Sequence, residues 1–310
     1  MYNNFDPEQL DYPVLIDGGL SNQLRDQGCD INHKLWTAKL LDENPKSIVD
    51  AHLAYLQAGA EVLITSSYQA SVEGFVSQGH SQSRAIELIL LTVELAREAE
   101  NQFRKTFNAG QRILIAASIG PYGAFLADGS EYTGNYSVSD AELTGFHSER
   151  IKILEKSSAD FFACETIPSY REACVLNELL RISSKFSWVT FSCRDSDFLH
   201  DGTRIAEAAG LFETNPKVFA VGVNCTSPEY IPAIICKVAE GCPSKRIVVY
   251  PNSGEQYNPQ DKSWTGQSAS SLFALQMTDW LRNGADIVGG CCRTGPDHIA
   301  SMSSLLKSLR

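Results

Sequence analysis

Ala285-Asp286-Ile287-Val288-Gly289-Gly290-Cys291-Cys292-Arg293 is the stretch on which the reading of this chain turns. Its first four residues form a compact apolar run, as expected of a short strand buried on both faces. Two glycines follow. Without a Cβ they let the backbone leave strand alternation, so that neighbouring side chains can be aimed together. Two cysteines then stand side by side. Thiolates are soft ligands that suit zinc, and two of them leave its shell incomplete. A third cysteine in a similar setting is Cys225, which ends the strand-like run Ala220-Val221-Gly222-Val223-Asn224. Three thiolates from two strand ends leave a fourth position open, which is the arrangement of a catalytic zinc site. Most buried cysteines only fill space. What separates these three from packing is their common placement at strand ends.

Outward from this stretch the same unit recurs. Strand-like runs are Val14-Leu15-Ile16, residues 62–65, 113–118, 160–164, 188–192, 220–225, 247–250 and 285–288. Helical stretches lie between them. One runs from Asn44 to Gly59, with Asn44 as cap and Pro45 in the first helical position. Others cover residues 81–103, 139–157, 169–183, 203–212, 228–240, 268–283 and 296 to the end. Ser139 with Glu142, and Ser169 with Glu172, read as capping boxes. Eight strand–helix units in alternation predict an α/β fold, a single (β/α)8 TIM barrel over residues 13–310 behind a polar N-terminal arm, 1–12. An open doubly wound sheet is the alternative, but the first strand–helix turn lacks a G-x-G-x-x-G phosphate fingerprint.

A barrel gives the polar residues meaning, because active sites in this fold lie at the C-terminal ends of the strands. Those ends carry Asp17, Thr65, Ser118, Glu165, Asn224 with Cys225, Asn252 with Ser253, and Cys291 with Cys292. Asp17, Glu165, Asn224 and Ser253 are candidates to hold substrate. The loop from Gly120 to Tyr136 is too long for a simple connection. Its Tyr122, Phe125 and Tyr132 offer aromatic faces to a cation. None of the six histidines falls at a strand end.

The 310 residues carry a net charge of −11, which argues against nucleic acid or an anionic membrane surface as partner. Nine cysteines, an odd number spread through a long chain, do not form a secreted disulfide framework. The N-terminus has no basic or apolar leader. The apolar segment from Ala85 to Ala96 is broken by Glu87 and Glu94 and is too short to span a bilayer. A cytoplasmic location is expected.

Taken together, these segments resemble the homocysteine S-methyltransferase family, and most closely its single-domain members. The resemblance is carried by Leu15-Ile16-Asp17-Gly18-Gly19, Thr65-Ser66-Ser67-Tyr68-Gln69-Ala70 and Ser118-Ile119-Gly120-Pro121-Tyr122-Gly123. It continues through Ala127-Asp128-Gly129-Ser130-Glu131-Tyr132, Cys164-Glu165-Thr166-Ile167-Pro168 and Gly222-Val223-Asn224-Cys225. It closes with Tyr250-Pro251-Asn252-Ser253-Gly254-Glu255 and Gly289-Gly290-Cys291-Cys292-Arg293-Thr294. It implies one zinc per chain on Cys225, Cys291 and Cys292, with Glu165 and Asp17 near the amino-acid end of homocysteine. It also implies that zinc-bound homocysteine thiolate attacks the methyl group of a sulfonium donor, S-methylmethionine or S-adenosylmethionine, to form methionine. Alternatives are betaine as donor, selenocysteine as acceptor, or a zinc-binding barrel without turnover. A zinc hydrolase fits less well, since such sites use His and carboxylate ligands. One departure is Gly19-Leu20-Ser21-Asn22, where many relatives have Met or Gln and Thr. Oligomeric state is not written in these motifs.

Overall fold

The structure is a computed structural model that describes residues 5–30, 40–107, 110, 112–258, 263–265 and 269–309. The apolar runs form eight parallel strands: β1 Val14–Leu15, β2 Val62–Ile64, β3 Leu114–Ile119, β4 Phe161–Ile167, β5 Ser187–Phe191, β6 Val218–Asn224, β7 Arg246–Tyr250 and β8 Ile287–Val288. Each pairs with its chain neighbour, and β1 pairs with β8, Val14 opposite Ile287. A bridge between Ile16 and Val62 joins β1 to β2, so the sheet curls round into a barrel. This is the expected (β/α)8 fold.

Strand alternation divides the core in two. Val14, Ile16, Leu114, Ala116, Phe161, Ala163, Trp188, Val248, Tyr250 and Ile287 fill the barrel. The intervening residues, such as Leu15, Ile115, Phe162, Cys164, Val189, Val221 and Val249, pack under the helices. The same alternation points Ser118, Glu165, Thr190, Asn224 and Tyr250 inward at the C-terminal ends, where they form a polar top layer.

The outer helices are α1 Pro45–Ala58, α2 Gln82–Phe107, α3 Asp140–Leu154, α4 Tyr170–Arg181, α5 Ile205–Gly210, α6 Ile231–Gly241, α7 Ser270–Arg282 and α8 Pro296–Leu309. Pro45 opens α1 as expected, although Asn44 makes no side-chain cap, and Gly59 closes it at φ 104°. The capping box of Ser139 and Glu142 is present at α3. At α4 only half of it forms. Ser169 accepts from the Glu172 amide, but the Glu172 side chain turns inward to Tyr122, Tyr136 and His147. Buried partners outbid the local cap. Short helices at Leu20–Asp26, Leu40–Glu43, Val72–Ser77 and Tyr122–Leu126, and a hairpin of Gln256–Asn258 with Ser263–Thr265, interrupt the simple alternation.

The N-terminal segment differs from the expected arm. Phe5 is 8% exposed, stacks on Phe161 at 4.7 Å and meets Phe219 edge-on at 5.5 Å. Asp6 caps the turn Pro7–Gln9 behind it. Residues 5–12 therefore plug the end of the barrel opposite the cysteines, because an aromatic side chain there finds an apolar opening to fill. Among the described residues no helix is long and apolar enough to cross a membrane.

Candidate active site

Three non-glycine residues near the strand ends have positive φ: Thr166 (64°), Cys225 (51°) and Arg293 (67°). Such angles are costly for residues with a Cβ, most of all for β-branched threonine, and persist only where surrounding contacts hold them. Asn224 holds Thr166. Its Oδ1 accepts from the Thr166 amide at 2.8 Å and its Nδ2 donates to the Thr166 hydroxyl at 2.8 Å. Arg293 donates its amide to Asn22 at 2.8 Å, and its guanidinium pairs with Glu255 at 2.8 Å. These turns bring the strand-end side chains to one place. The glycines before the cysteine pair are needed for close packing. A Cβ on Gly289 would meet the Ile16 side chain at 2.2 Å, and one on Gly290 would meet Thr294 at 2.2 Å.

The three cysteines converge. Cys225 Sγ lies 3.5 Å from Cys292 Sγ and 3.4 Å from Cys291 Sγ, and all three sulfurs lie within 4.8 Å of one another. A disulfide needs about 2.05 Å, so these are free thiols. Zinc–sulfur bonds of about 2.3 Å put tetrahedral ligands about 3.8 Å apart, close to the observed separations. The donor set and its spacing therefore fit zinc. Hydrogen bonds from Cys225 and Cys291 hold the Cys292 thiol well below its usual range, while the same contacts push Cys225 up. Cys291 is lowered by its hydrogen bond with Cys225 but pushed up on balance by Cys292 and by burial, so without a cation two of the three thiols hold their protons. Asn224 Nδ2 reaches Cys291 Sγ at 3.8 Å, and the Tyr132 hydroxyl stands 3.8 Å from Cys225 Sγ.

Beside the thiols, Glu165 accepts from the hydroxyls of Ser118 and, at 3.1 Å, Tyr250. Burial pushes its carboxyl up to about 8, against the pull of the Ser118 hydrogen bond. Thr190 completes the layer by donating to Asn224 at 2.8 Å. Asp17 accepts from the Ile64 amide at 2.9 Å through Oδ2, while its Oδ1 is buried without a partner. Its carboxyl is raised by burial, with the Glu165 charge adding. A cleft of about 760 Å³, open mouth included, lies above these groups. Among the described residues, none that lines it is Lys, Arg or His. A pocket with buried carboxyls and no cation of its own suits a positively charged substrate group.

Cys225, Cys291, Cys292, Glu165, Asn224 and Tyr132 all line this cleft. Asp17 sits just beneath it. Three other expectations are corrected. The Ser253 hydroxyl donates to Glu255 at 3.0 Å and its amide donates to Cys292, so it braces the cysteine loop rather than facing substrate. Tyr122 and Phe125 pack with each other and with Phe146, at ring distances of 5.0–5.5 Å, outside the cleft. Apolar rings from α3 claim them first. Conversely, Ser66, Tyr68 and Gln69 line the cleft and had been given no role. Ser66 Oγ and Gln69 Oε1 are buried without partners. Their signal was positional: they directly follow Thr65 at the end of β2.

The sequence profile of homocysteine S-methyltransferase matches residues 14–306. The chain is 42% identical over 305 residues to the homocysteine S-methyltransferase YbgG of Bacillus subtilis, covering 96% of each. It is 39% identical over 311 residues to the selenocysteine Se-methyltransferase of Brassica oleracea, covering 96% of this chain and 90% of the other. The metallated form of the homocysteine methyltransferase MmuM from Escherichia coli superposes with a TM-score of 0.85 at 38% identity, covering 96% of this chain and 97% of that one. Matched from the first strand to the last helix by profile, sequence and fold, this chain belongs to the homocysteine S-methyltransferase family and is a methyltransferase.

Proposed function

We propose that this chain methylates homocysteine sulfur from a sulfonium donor, S-methylmethionine ahead of S-adenosylmethionine, at a zinc held by Cys225, Cys291 and Cys292. The observation that carries this reading is the convergence of three free thiols, with the Cys225 sulfur 3.4–3.5 Å from the other two, on a cleft lined by no basic residue among those described. Zinc bound there would supply Lewis acidity that keeps a fourth thiol ionised at neutral pH.

The chain's own groups account for binding and orientation. Glu165 and Asp17 present carboxyls to the homocysteine ammonium. The unpartnered Ser66 hydroxyl and Gln69 carbonyl add acceptors within the same cleft. Asn224 fixes the backbone turn at Thr166 and reaches the Cys291 sulfur. The rings of Tyr68 and Tyr132 exclude water on the donor side and offer their faces to the sulfonium. The homocysteine thiolate sulfur forms a bond to the donor methyl carbon as the methyl–sulfonium bond breaks. The electron pair of that bond stays on the donor sulfur, which leaves as a neutral thioether. No general acid is required. S-methylmethionine and homocysteine would give two methionines.

Selenocysteine is a second acceptor to consider, because the Brassica relative named for that substrate is 39% identical. The deciding experiment is methionine formation from homocysteine and S-methylmethionine by zinc-loaded protein. Two methionines formed for each homocysteine consumed support the reading. If S-methylmethionine, S-adenosylmethionine and betaine all fail, the reading falls. Cys225→Ala, Cys291→Ala and Cys292→Ala should each lose both activity and bound zinc, measured by metal analysis.

A further inference from the structure

Glu131 has no part in the account above. It lies in the loop after β3, on the single turn Ser130–Tyr132, which starts at Gly129 with φ 90°. Gly123 packs against the Glu131 backbone so closely that an added Cβ would meet the amide nitrogen at 2.5 Å. The position is therefore built rather than loose. The residue is 7% exposed, and its Oε2 is buried without a hydrogen-bond partner. Burial raises its carboxyl, with only backbone amides at residues 131 and 129 opposing.

Its neighbours are those of the donor side of the cleft. The next residue, Tyr132, places its hydroxyl 3.8 Å from Cys225 Sγ. Tyr68 and Tyr132 line the cleft, and Glu131, which does not itself line it, shares the single turn with Tyr132. A carboxylate oxygen kept out of water without a hydrogen-bond partner, as Oε2 is here, is costly unless a cation arrives to meet it. The homocysteine ammonium already has Glu165 and Asp17, on the far strands β4 and β1. The remaining cations in the reaction are the donor's own, its ammonium and its sulfonium, and of the two it is the sulfonium that has to be presented to the thiol cluster, beside Tyr68 and Tyr132.

We propose that Glu131 is the counter-charge for the donor sulfonium and selects the cationic donor over its neutral thioether. This deepens the sulfonium reading and rests on it. The consequence follows from charge balance. The donor enters as a cation and leaves as a neutral thioether, so a fixed negative charge favours the bound donor over both the transition state and the product. Glu131 therefore lowers the donor KM without raising kcat, and helps the spent donor leave.

The test compares S-methylmethionine with methionine, which differ by one methyl and one charge, as ligands of zinc-loaded protein by calorimetry. Wild-type protein should bind S-methylmethionine at least about tenfold more tightly than methionine, equivalent to about 1.4 kcal/mol. Equal affinities would overturn the proposal without any variant. Glu131→Gln should weaken S-methylmethionine at least about fivefold, leave methionine, homocysteine KM and zinc content unchanged, and leave kcat equal or higher. Glu131→Asp, which keeps the charge, should retain more of the preference than Glu131→Gln. Equal weakening of both ligands means that Glu131 meets the ammonium they share or only shapes the loop, and the reverse order of the two variants means that it only shapes the loop; each overturns the proposal. If wild-type protein neither binds nor uses S-methylmethionine, the sulfonium reading has failed along with this one. If it uses the donor and Glu131→Gln discriminates no less well, only the role of Glu131 is lost.

Discussion

Asn224 joins three strands through one amide: it bonds Thr166 on β4 and Thr190 on β5, and reaches Cys291 beyond β8. Asn224→Ala would leave the Thr166 amide without a partner in a buried layer, at about 1–3 kcal/mol, while the Thr190 hydroxyl keeps Tyr250. It would also free the turn at Thr166 and remove the amide that reaches Cys291. We expect a loss of stability together with a fall in zinc affinity of about 10- to 100-fold, as for other groups that orient metal ligands. Thermal unfolding and zinc competition with a chelator measure the two effects separately. Glu165 supplies a pH prediction. Its folded carboxyl lies near 8 against an ordinary value of 4.5, because burial disfavours the charge. The folded state thus retains a proton that the unfolded chain releases. In metal-free, substrate-free protein this contribution to stability is full below the unfolded value and is lost as pH rises through about 8. The melting temperature should fall between pH 5 and pH 8.5, and Glu165→Gln should reduce that fall. Glu172, also pushed up to about 8 by burial, keeps it from vanishing.

The loop after β3 is held from behind by two helices. Glu172 on α4 accepts from the Tyr122 amide at 2.6 Å, from the Tyr136 hydroxyl, and from His147 on α3 at 2.7 Å. Arg150 on α3, fully buried, donates to the carbonyls of Gly120, Ser67 and Tyr68 at 2.8, 3.2 and 2.9 Å. Its guanidinium also lies 5.0 Å from the Phe146 ring. Together these side chains tie the loops after β2 and β3 to the outer helices, so Tyr68 and Tyr132 face the cleft from a fixed frame. Removing Glu172 strands three donors at once. Glu172→Ala should destabilise by about 3 kcal/mol or more and expose residues 120–136 to limited proteolysis. By contrast, Ser139→Ala, which removes only the exposed cap of α3, should cost about 1 kcal/mol and leave activity intact.

At the scale of the whole barrel, structure and chemistry occupy opposite ends. Phe5 closes the lower opening against Phe161 and Phe219, while the thiols and carboxyls stand at the C-terminal ends of the strands. This separation predicts that Phe5→Ala lowers stability by about 3–5 kcal/mol while kcat/KM stays within about twofold. Unfolding curves and steady-state kinetics on the same preparation check both halves.

The strands, most of the helices and the strand-end residues were legible because burial leaves a local record. An apolar run between turn signals reads as an inner strand, and a polar or thiol residue at its end reads as the active face. The alternation that makes Phe161 and Ala163 inner residues also makes Glu165 one. Other features left no local record. Glu172 matches a capping box letter for letter, yet it turns away to partners contributed by α3 and the loop after β3. Phe5 in a polar segment gives no sign that an opening awaits it more than 150 residues downstream in sequence. Tyr122, Phe125 and Tyr132 are equivalent as aromatic residues of one loop, but only Tyr132 faces the thiols. The sequence by itself determined the barrel and singled out the three cysteines that converge at its strand ends, because periodicity and strand-end position are properties of neighbouring residues. Only tertiary structure decided which polar and aromatic side chains face substrate and which support the frame, because that choice depends on which distant partner each side chain can reach.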